Sequence, residues 1–325
     1  MQKKLPSITI LLTLRNNADT IKKCIDSLLK VDYPRYEIFV VDAFSNDGSY
    51  EILKSYGKKI KLYQVKGWAP AAYNWALKRI RTEYVALIDA DCTVPRNWLK
   101  ELIKGFESSD VVEVGGVCIA PRSKSLLQKL LGRELEDRFR KMGKYACKVP
   151  TMNVAFKTSI ARKIGFNEKL RVGYDVDFSY KIRKKGKILF NKKAVVKHYH
   201  RSTWRNFFKQ QFNYGVYSPM LYAKYDLGMS QDTITRNMMK AQIILLYLFS
   251  IFLLIGILDY RILYLSITML AALVLTYAYD SARLSRNMKE FLMYKFIFFY
   301  RNLAWNLGIL KGFYIMNKSV KSRRK

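Results

Sequence analysis

Two carboxylates separated by one residue follow a short apolar run. Asp89 and Asp91 come after residues 84–88, whose aliphatic and aromatic content is typical of a strand buried on both faces. If the strand continues, both side chains point to the same side and repel each other unless a divalent cation or a shared proton intervenes. Carboxylate oxygens suit Mg²⁺ or Mn²⁺, ions that usually complete their shell with substrate phosphates. The pair predicts a metal site, and the alternative is a solvated acidic loop.

The segments before this pair alternate between apolar runs of strand length and amphipathic stretches. Such alternation predicts an α/β fold with a doubly wound, mostly parallel nucleotide-binding sheet. In open sheets of this kind, ligands bind beyond the carboxyl ends of the strands, where Asp89 and Asp91 fall. Strands are predicted at residues 8–12, 37–41, 61–65 and 84–88, and helices at residues 18–29, 50–56, 71–80 and 98–106.

The chain beyond residue 110 has a less regular pattern. An apolar run at residues 111–119 is broken by Gly115 and Gly116, and residues 123–145 form a charged helix to which no task can be assigned. The remaining predicted elements are strands at residues 151–156 and 187–190 and helices at residues 159–164, 178–185 and 204–214.

The composition limits the kinds of partner. Lys and Arg number 58 against 25 Asp and Glu, a net charge of +33, which calls for nucleic acid, an anionic membrane surface or phosphorylated substrates. The four cysteines lack CxxC spacing, which favours a reduced, cytosolic catalytic part. The apolar run near the amino terminus is short and closed by Arg15, so it predicts a first strand rather than a signal peptide.

Two almost wholly apolar segments lie near the carboxyl end. Residues 241–258 and 262–279 are each 18 residues long, and a helix of that length rises roughly 27 Å, close to the thickness of the hydrocarbon core. The short connection between them predicts a membrane hairpin, and the basic residues at its outer ends place those ends in the cytoplasm. The alternative is a buried helical hairpin in a soluble core. We therefore predict a catalytic domain at residues 1–238, a transmembrane helical hairpin at 239–280, and an interfacial amphipathic helix with a basic tail at 281–325.

The last helical segment, residues 291–316, mixes apolar and polar residues. This mixture favours a helix that lies in the membrane interface rather than one that crosses it. Gly308 and Gly312 fall on one stripe and would allow a second helix to approach closely. Arg301 is either a contact to lipid headgroups or a phosphate ligand for a lipid-linked acceptor. The cations of residues 318–325 add about 1 kcal/mol each near an anionic leaflet, so much of the positive charge needs no nucleic acid.

Four motifs together resemble the family 2 glycosyltransferases of GT-A fold. The resemblance covers roughly residues 5–215 and depends on the order and spacing of the motifs. The segment from Tyr300 to Gly308 is also similar to the carboxyl-terminal helices of membrane-attached members. The motifs are Thr13-Leu-Arg-Asn16, Val41-Asp42 followed by Ser45-Asn-Asp-Gly-Ser49, Asp89-Ala-Asp91 and Gly173-Tyr-Asp175.

The resemblance implies a role for each matched residue. Asp175 would be the catalytic base, Asp91 the metal ligand, and Asp42 the residue that recognises the nucleotide base. His198 would be a further metal ligand, with His200 as the alternative. The other expected donor-side residues are Thr13, Arg15, Asn16, Asp47, Lys66, Asn74, Asp89 and Ala90. The acceptor-side candidates are Tyr174, Asp177, Arg201, Gln210, Gln211 and Arg301.

Three positions depart from the family pattern. Ala43 replaces a second acid after Asp42, Tyr73 stands where arginine is frequent, and Tyr174 stands where an acid often precedes the base. The chain also lacks the Gln-x-x-Arg-Trp motif of processive synthases, which favours a single transfer.

The resemblance implies inverting transfer of a sugar from a nucleoside-diphosphate sugar, with a UDP-sugar favoured and Mn²⁺ or Mg²⁺ as cofactor. The expected acceptor is a hydroxyl of a glycan linked to a membrane lipid. The expected location is the cytoplasmic membrane, with multiple spans and anionic headgroups as partners. The alternatives are a polyprenyl-phosphate or dolichyl-phosphate glycosyl synthase and a membrane-attached nucleotidyltransferase. A nucleic-acid partner is not expected, because carboxylates gathered at strand ends would repel phosphates.

Overall fold

The computed structural model describes residues 5–121, 125–200, 202–225 and 235–323, and the chain divides into two compact units. The first unit contains residues 1–124 and 135–200, and the second contains residues 125–134 and 201–325. Arg201, an expected acceptor-side residue, and the last two residues of the basic tail lie outside the described residues.

The first unit is built on an eight-stranded sheet with the order β3-β2-β1-β4-β7-β6-β8-β5. The β3-β2-β1-β4 half is wholly parallel, which confirms the predicted α/β fold. Beyond β4 the sheet is mixed, because β7 runs antiparallel to both of its neighbours. The strands are β1 (Ile8–Leu14), β2 (Tyr36–Asp42), β3 (Lys61–Gln64), β4 (Tyr84–Asp89), β5 (Cys92–Thr93), β6 (Val111–Ile119), β7 (Asn153–Lys157) and β8 (Lys187–His198).

Helices follow most of these strands, as the alternating pattern predicts. Helix α1 buries Ile21, Cys24, Ile25 and Leu28 on one face, because apolar residues recur there at helical spacing. Helix α5 begins in the second unit and ends in the first. The helices up to residue 200 are α1 (Ala18–Leu28), α2 (Ser49–Lys54), α3 (Ala69–Leu77), α4 (Trp98–Lys104), α5 (Leu126–Arg140), α6 (Thr158–Ile164) and α7 (Tyr174–Arg183).

Strands β6 and β8 differ from the prediction. Strand β6 continues through Gly115 and Gly116, because a Cβ at Gly116 would lie 2.1 Å from the carbonyl oxygen of Ala194 and only glycine allows this close pairing. The β6–β8 register shifts there, between Gly116 and Val117. Strand β8 also continues past the predicted end at residue 190 as far as His198.

The second unit contains the predicted helical hairpin. Helices α9 (Asn237–Gly256) and α10 (Leu263–Leu284) pack antiparallel, with Gly256 against Leu263 and the Ser266 hydroxyl 3.4 Å from the carbonyl of Phe249. Both are long and apolar enough to cross a membrane, since an 18-residue window has a mean hydropathy of 2.1 within residues 237–256 and of 1.9 within residues 260–284. The other helices of this unit are α8 (Trp204–Tyr225) and α11 (Met288–Arg323), together with the first part of α5.

A buried polar network joins the helices of the second unit. Arg301 is only 3% exposed and donates to Glu134 of α5 at 2.5 Å. The hydroxyl of Tyr277 accepts from Asn302 at 2.9 Å, and Gln242 donates to Asp280 at 3.2 Å. The expectation that Arg301 contacts lipid headgroups is therefore wrong, because its charge is buried against Glu134. Through this ion pair, α5 neutralises the buried charge of Arg301, a role that the sequence pattern did not indicate.

Small residues allow α8 and α11 to touch through their backbones. A Cβ at Gly308 would lie 2.2 Å from the carbonyl oxygen of Phe212 and 3.0 Å from the Cα of Gly215. A Cβ at Gly312 would lie 2.4 Å from the carbonyl oxygen of Val216. The close approach of a second helix to the glycine stripe is thereby confirmed.

We expect Gly308→Ala to destabilise the second unit by about 1–3 kcal/mol, because the added methyl forces the two backbones apart. Helix propensity alone would give the opposite sign, since alanine favours a helix by up to about 1 kcal/mol over glycine. Thermal unfolding in detergent measures the effect, and Leu307→Ala, at a position that is 44% exposed, is the control. A midpoint for Gly308→Ala at or above that of the wild type would contradict the close contact.

Candidate active site at the carboxyl edge of the sheet

The strand register places the predicted donor-side residues along one edge of the sheet. Thr13 lies opposite Asp89 of β4, and Leu14 lies opposite Asp42 of β2. Asp42 in turn lies opposite Gln64 at the end of β3. Because these strands are parallel, their carboxyl ends meet at this edge, and polar side chains that close each strand are brought side by side.

The loops after β1 and β2 are held together by hydrogen bonds. Asn16 donates its backbone N–H to the Ser45 hydroxyl at 2.9 Å and accepts from the backbone N–H of Asn46 at 3.0 Å. Asp47 accepts from the backbone N–H of Ala18 at 3.0 Å, the first residue of α1. These bonds fix the shape of the two loops before any ligand arrives.

Asp42 lies at this edge, with its carboxylate fully buried. It accepts from the backbone N–H and the hydroxyl of Ser45, and from the side-chain amide of Gln64 at 3.0 Å. These partners occupy both oxygens, so Asp42 braces the loop after β2. Its expected contact with the nucleotide base stays a prediction.

Asp91 lies in the turn between β4 and β5 rather than on the strand with Asp89, because β4 ends at Asp89. Strand β5 pairs antiparallel with the end of β8, which places Cys92 opposite His198. One carboxylate oxygen of Asp91 then lies 3.3 Å from Nε2 of His198. Ligand atoms of Asp91, Cys92 and His198 all lie within 4.8 Å of one another.

The donor set of this cluster fits a hard divalent cation. Burial raises the pKa of the Cys92 thiol well above its ordinary value, and Asp91 and Asp89 raise it further, so the sulfur stays protonated. Sulfur is also a soft ligand that Mg²⁺ and Mn²⁺ do not favour, which leaves a carboxylate oxygen and an imidazole nitrogen to hold such an ion. So few protein ligands leave positions open for water and substrate phosphates, as is usual for Mg²⁺.

Asp175 lies in the first turn of α7, which begins four residues earlier than predicted, after Gly173 at a φ of 77°. One of its oxygens accepts from the backbone N–H of Val176 at 2.9 Å. Burial raises the pKa of Asp175, and the Val176 N–H and the Lys148 ammonium partly oppose this. Asp177 is fully buried and pairs with Lys181 at 2.6 Å, which favours a structural role for it.

The two tyrosines that depart from the family pattern lie together. The Tyr73 and Tyr174 rings are 6.1 Å apart, and both tyrosines lie near Thr151. Tyr73 is 1% exposed and also lies near Thr13 at the end of β1. Burial raises the pKa of both tyrosines, so they stay neutral and link the first strand to the start of α7.

The other predicted residues have varied surroundings. Asn74 bonds with the backbone of Phe166 and with Glu168 at 2.7 Å, while Lys66 lies 5.9 Å from the ring of Phe44. Arg15 is exposed and Ala90 is buried. Gln210 and Gln211 lie on α8 of the second unit, where Gln211 accepts from the Trp305 indole at 2.9 Å.

Sequence reasoning missed residues that reach the site only through sheet pairing. Thr151, Lys148 and Glu113 contact or influence the tyrosine pair and Asp175. Burial raises the pKa of Glu113 well above its ordinary value, and Asp175 raises it further, so a neutral carboxyl lies near the base. Gln64 could have been found, because it lies next to the end of the predicted strand at residues 61–65, which follows that of Asp42.

Comparison with known proteins shows which family this chain resembles. The model of glycosyl transferase family 2 matches residues 9–168. Glycosyltransferase AglE of Haloferax volcanii is 28% identical over 123 residues, 36% of this chain and 40% of AglE. The chain thus matches less than half the length of AglE. A dolichyl N-acetyl-alpha-D-glucosaminyl phosphate 3-beta-D-2,3-diacetamido-2,3-dideoxy-beta-D-glucuronosyltransferase of Methanococcus voltae is 25% identical over 238 residues, 67% of this chain and 74% of that protein.

Solved structures agree on the fold. The mannosyltransferase PcManGT of Pyrobaculum calidifontis, solved with GDP-Man and Mn²⁺, superposes with a TM-score of 0.57 at 18% identity, over 94% of this chain and 87% of that chain. GalNAc-T7, solved with UDP, GalNAc and Mn²⁺, gives 0.51 at 17% identity, over 71% of this chain and 52% of that chain. Both likenesses identify the GT-A fold. The chain therefore carries, at residues 9–168, a glycosyl transferase family 2 domain on a GT-A fold.

Proposed function

We propose that the protein transfers a sugar, with inversion, from a nucleoside-diphosphate sugar to a hydroxyl of a glycan linked to a membrane lipid. A UDP-sugar is the favoured donor, and Mn²⁺ or Mg²⁺ is the cofactor. The observation that carries this proposal is the pairing of β5 with β8, which brings His198 within 3.3 Å of Asp91 at the edge where the strands end. Two structural neighbours were solved with Mn²⁺ and a nucleotide or nucleotide sugar, which supports the same assignment.

The donor would lie along the loops that follow β1 and β2. Backbone and side-chain groups of Thr13, Asn16 and Asp89 border this edge, and the hydrogen bonds between the loops hold it in one shape. Asp91 and His198 would hold the ion beside the diphosphate. A bound divalent ion offsets the negative charge that develops on the departing diphosphate.

Asp175 would accept the proton of the attacking hydroxyl. Its place in the first turn of α7 positions the carboxylate, and two neutral tyrosines, the buried Tyr73 and the half-buried Tyr174, lie close to it. A base in such a position is worth about 10²–10⁴-fold in rate. A phosphate acceptor is already ionised and has no need of this base, so the presence of Asp175 favours a hydroxyl.

The acceptor class rests on the second unit and on a relative. Helices α9 and α10 could anchor the chain in the cytoplasmic membrane, with its outer ends and the catalytic domain on the cytoplasmic side. The Methanococcus voltae relative is named for a dolichyl-linked sugar phosphate, which favours a lipid-linked glycan here too. The division into a catalytic domain, a membrane hairpin and an interfacial helix remains part of this proposal.

We expect His198→Ala to lower the affinity for Mn²⁺ by about tenfold or more in the presence of UDP, since even outer-shell partners of a metal contribute about 10–100-fold. Titration calorimetry measures the affinity. His200→Ala is the matched control, because the His200 ring lies 4.6 Å from that of His198 and takes no part in the three-residue ligand cluster. Equal affinities for the two variants would contradict the proposed metal site.

We expect Asp175→Asn to lower kcat for a lipid-linked sugar acceptor by about 10²–10⁴-fold and to leave the affinity for the donor nucleotide unchanged. The assay supplies labelled UDP- and GDP-sugars with either a lipid-linked sugar or a polyprenyl phosphate. Asp177→Asn is the contrasting variant, because loss of its buried ion pair should lower the thermal midpoint instead. Transfer to polyprenyl phosphate that survives Asp175→Asn would favour the phosphate-acceptor alternative.

We expect Lys148→Met to move the acid limb of kcat/KM to higher pH. The base works only when deprotonated, so the rate rises with pH through its pKa, which burial raises and Lys148 lowers. When the Lys148 ammonium is removed, its charge no longer opposes the effect of burial, and the pKa of Asp175 rises further. Lys148→Arg keeps the charge and should keep the limb in place. An acid limb that does not move in Lys148→Met would exclude Asp175 as the group that limits activity at low pH.

A further inference from the structure

Phe44, in the loop after β2, has an unusual backbone conformation for a bulky residue. Its φ is 56°, in the left-handed region that favours glycine, and its side chain is 45% exposed. Such strain persists only where the surrounding structure over-determines it, and it concentrates at ligand-binding sites. More than half of the ring is covered, but the exposed part is large for an apolar side chain, so packing alone does not explain phenylalanine at a strained position.

The strain is confined to the edge of the sheet where the donor is proposed to bind. Among the described residues, Asn16 is the other non-glycine residue with a positive φ, and it lies in the loop after β1. Asn16 bonds with Ser45 and Asn46, the two residues that follow Phe44. Ser45 is fixed in turn by Asp42. The two loops therefore support each other and fix the backbone on both sides of Phe44.

The obvious edge-reading group for a nucleotide base is already occupied. Asp42 is fully buried, and its oxygens accept from Ser45 and Gln64. The following residue, Ala43, has no polar side chain. Asp42 already accepts three hydrogen bonds in a buried position and has little capacity left for a base, whereas the Phe44 ring is 45% exposed, with the Lys66 ammonium 5.9 Å from its centre.

We propose that Phe44 is the platform on which the nucleobase of the donor stacks, so that the site binds the base by its face. This inference rests on the proposed function, because it assumes a nucleotide at this edge. Lys66 lies 5.9 Å from the ring centre, so its ammonium would lie beside a base stacked on Phe44. Every base has a π face, so stacking tolerates different bases. The affinities of the wild type for UDP and GDP should therefore differ by less than about tenfold.

The test compares Phe44→Gly with the wild type in the presence of Mn²⁺, with UDP, GDP and inorganic pyrophosphate as probes. Glycine adopts the left-handed conformation freely, so the thermal midpoint should be no lower than that of the wild type. The affinity for UDP and GDP should fall between about fivefold and 100-fold, and that for pyrophosphate should not change. Phe44→Trp should keep nucleotide affinity, since it keeps an aromatic face.

Tyr145→Ala is the matched control. Tyr145 is 47% exposed and has Lys187 at 5.3 Å from its ring centre, so it repeats the exposed aromatic and lysine pair without the positive φ. It should not affect nucleotide affinity. Unchanged nucleotide affinity in Phe44→Gly would overturn the proposal. This holds also if the variant loses binding to lipid vesicles, because the ring would then contact a membrane instead of a base. Equal losses for pyrophosphate and the nucleotides would also overturn it. A wild type that binds none of the three probes would instead refute the proposed function.

Discussion

The site depends on one short pairing, between the two residues of β5 and the end of β8. This antiparallel contact places Cys92 opposite His198 and so brings the imidazole to Asp91. The direction of β8 is set upstream, where the β6–β8 register shifts at Gly116. Asn153, fully buried, donates to the carbonyls of Val117 and Ala194 on either side of this irregularity and locks it. A largely buried ligand cluster at the end of the sheet thus depends on a buried amide within it.

The parallel half of the sheet could be predicted from the sequence, and the mixed half only in part. Strands β1, β2 and β4 are continuous apolar runs because both of their faces are covered. Strand β8 carries Asn191, Lys192 and Lys193 at its centre, which interrupt the apolar pattern and hide the continuation to His198. Local patterns report burial, and this stretch of β8 is only partly buried, so its pairing could not be inferred from them.

The departures from the family pattern are explained by contacts between residues far apart in the chain. Tyr73 and Tyr174 occupy adjacent space and both lie near Thr151, so each accounts for the other. Together they replace charged groups beside Asp175 with neutral ones, which is consistent with burial as the main cause of its raised pKa. A comparison of motifs treats these two positions separately and counts two missing charged residues. In the fold the two tyrosines are neighbours, so the arginine and the acid of the family pattern are replaced together as a pair.

The second unit shows why charge alone is a poor guide to partners. Arg301, Arg236 and Arg133 lie in a chain with an excess of 33 positive charges, yet they pair with Glu134, Asp280 and Glu290. Removing one member of a buried pair of this kind costs about 3–5 kcal/mol, because the other charge is left uncompensated. These ion pairs form only when α5, α9, α10 and α11 pack with the paired side chains next to each other. The pairs therefore favour one arrangement of these helices.

Three acidic residues of the first unit lie together at the candidate active site. Asp89, Asp91 and Asp175 lie close enough to raise the pKa values of buried neighbours, Tyr174 among them. Negative charge concentrated in this way opposes the approach of a diphosphate, whatever the net charge of the chain. Under the proposed function, a divalent cation must therefore reach Asp91 and His198 before or together with the nucleotide, because its charge reverses the local repulsion. Stacking on Phe44 has no such requirement, since it acts on the uncharged end of the donor. Binding of the base and binding of the diphosphate would then be separable, and only the second would depend on the metal.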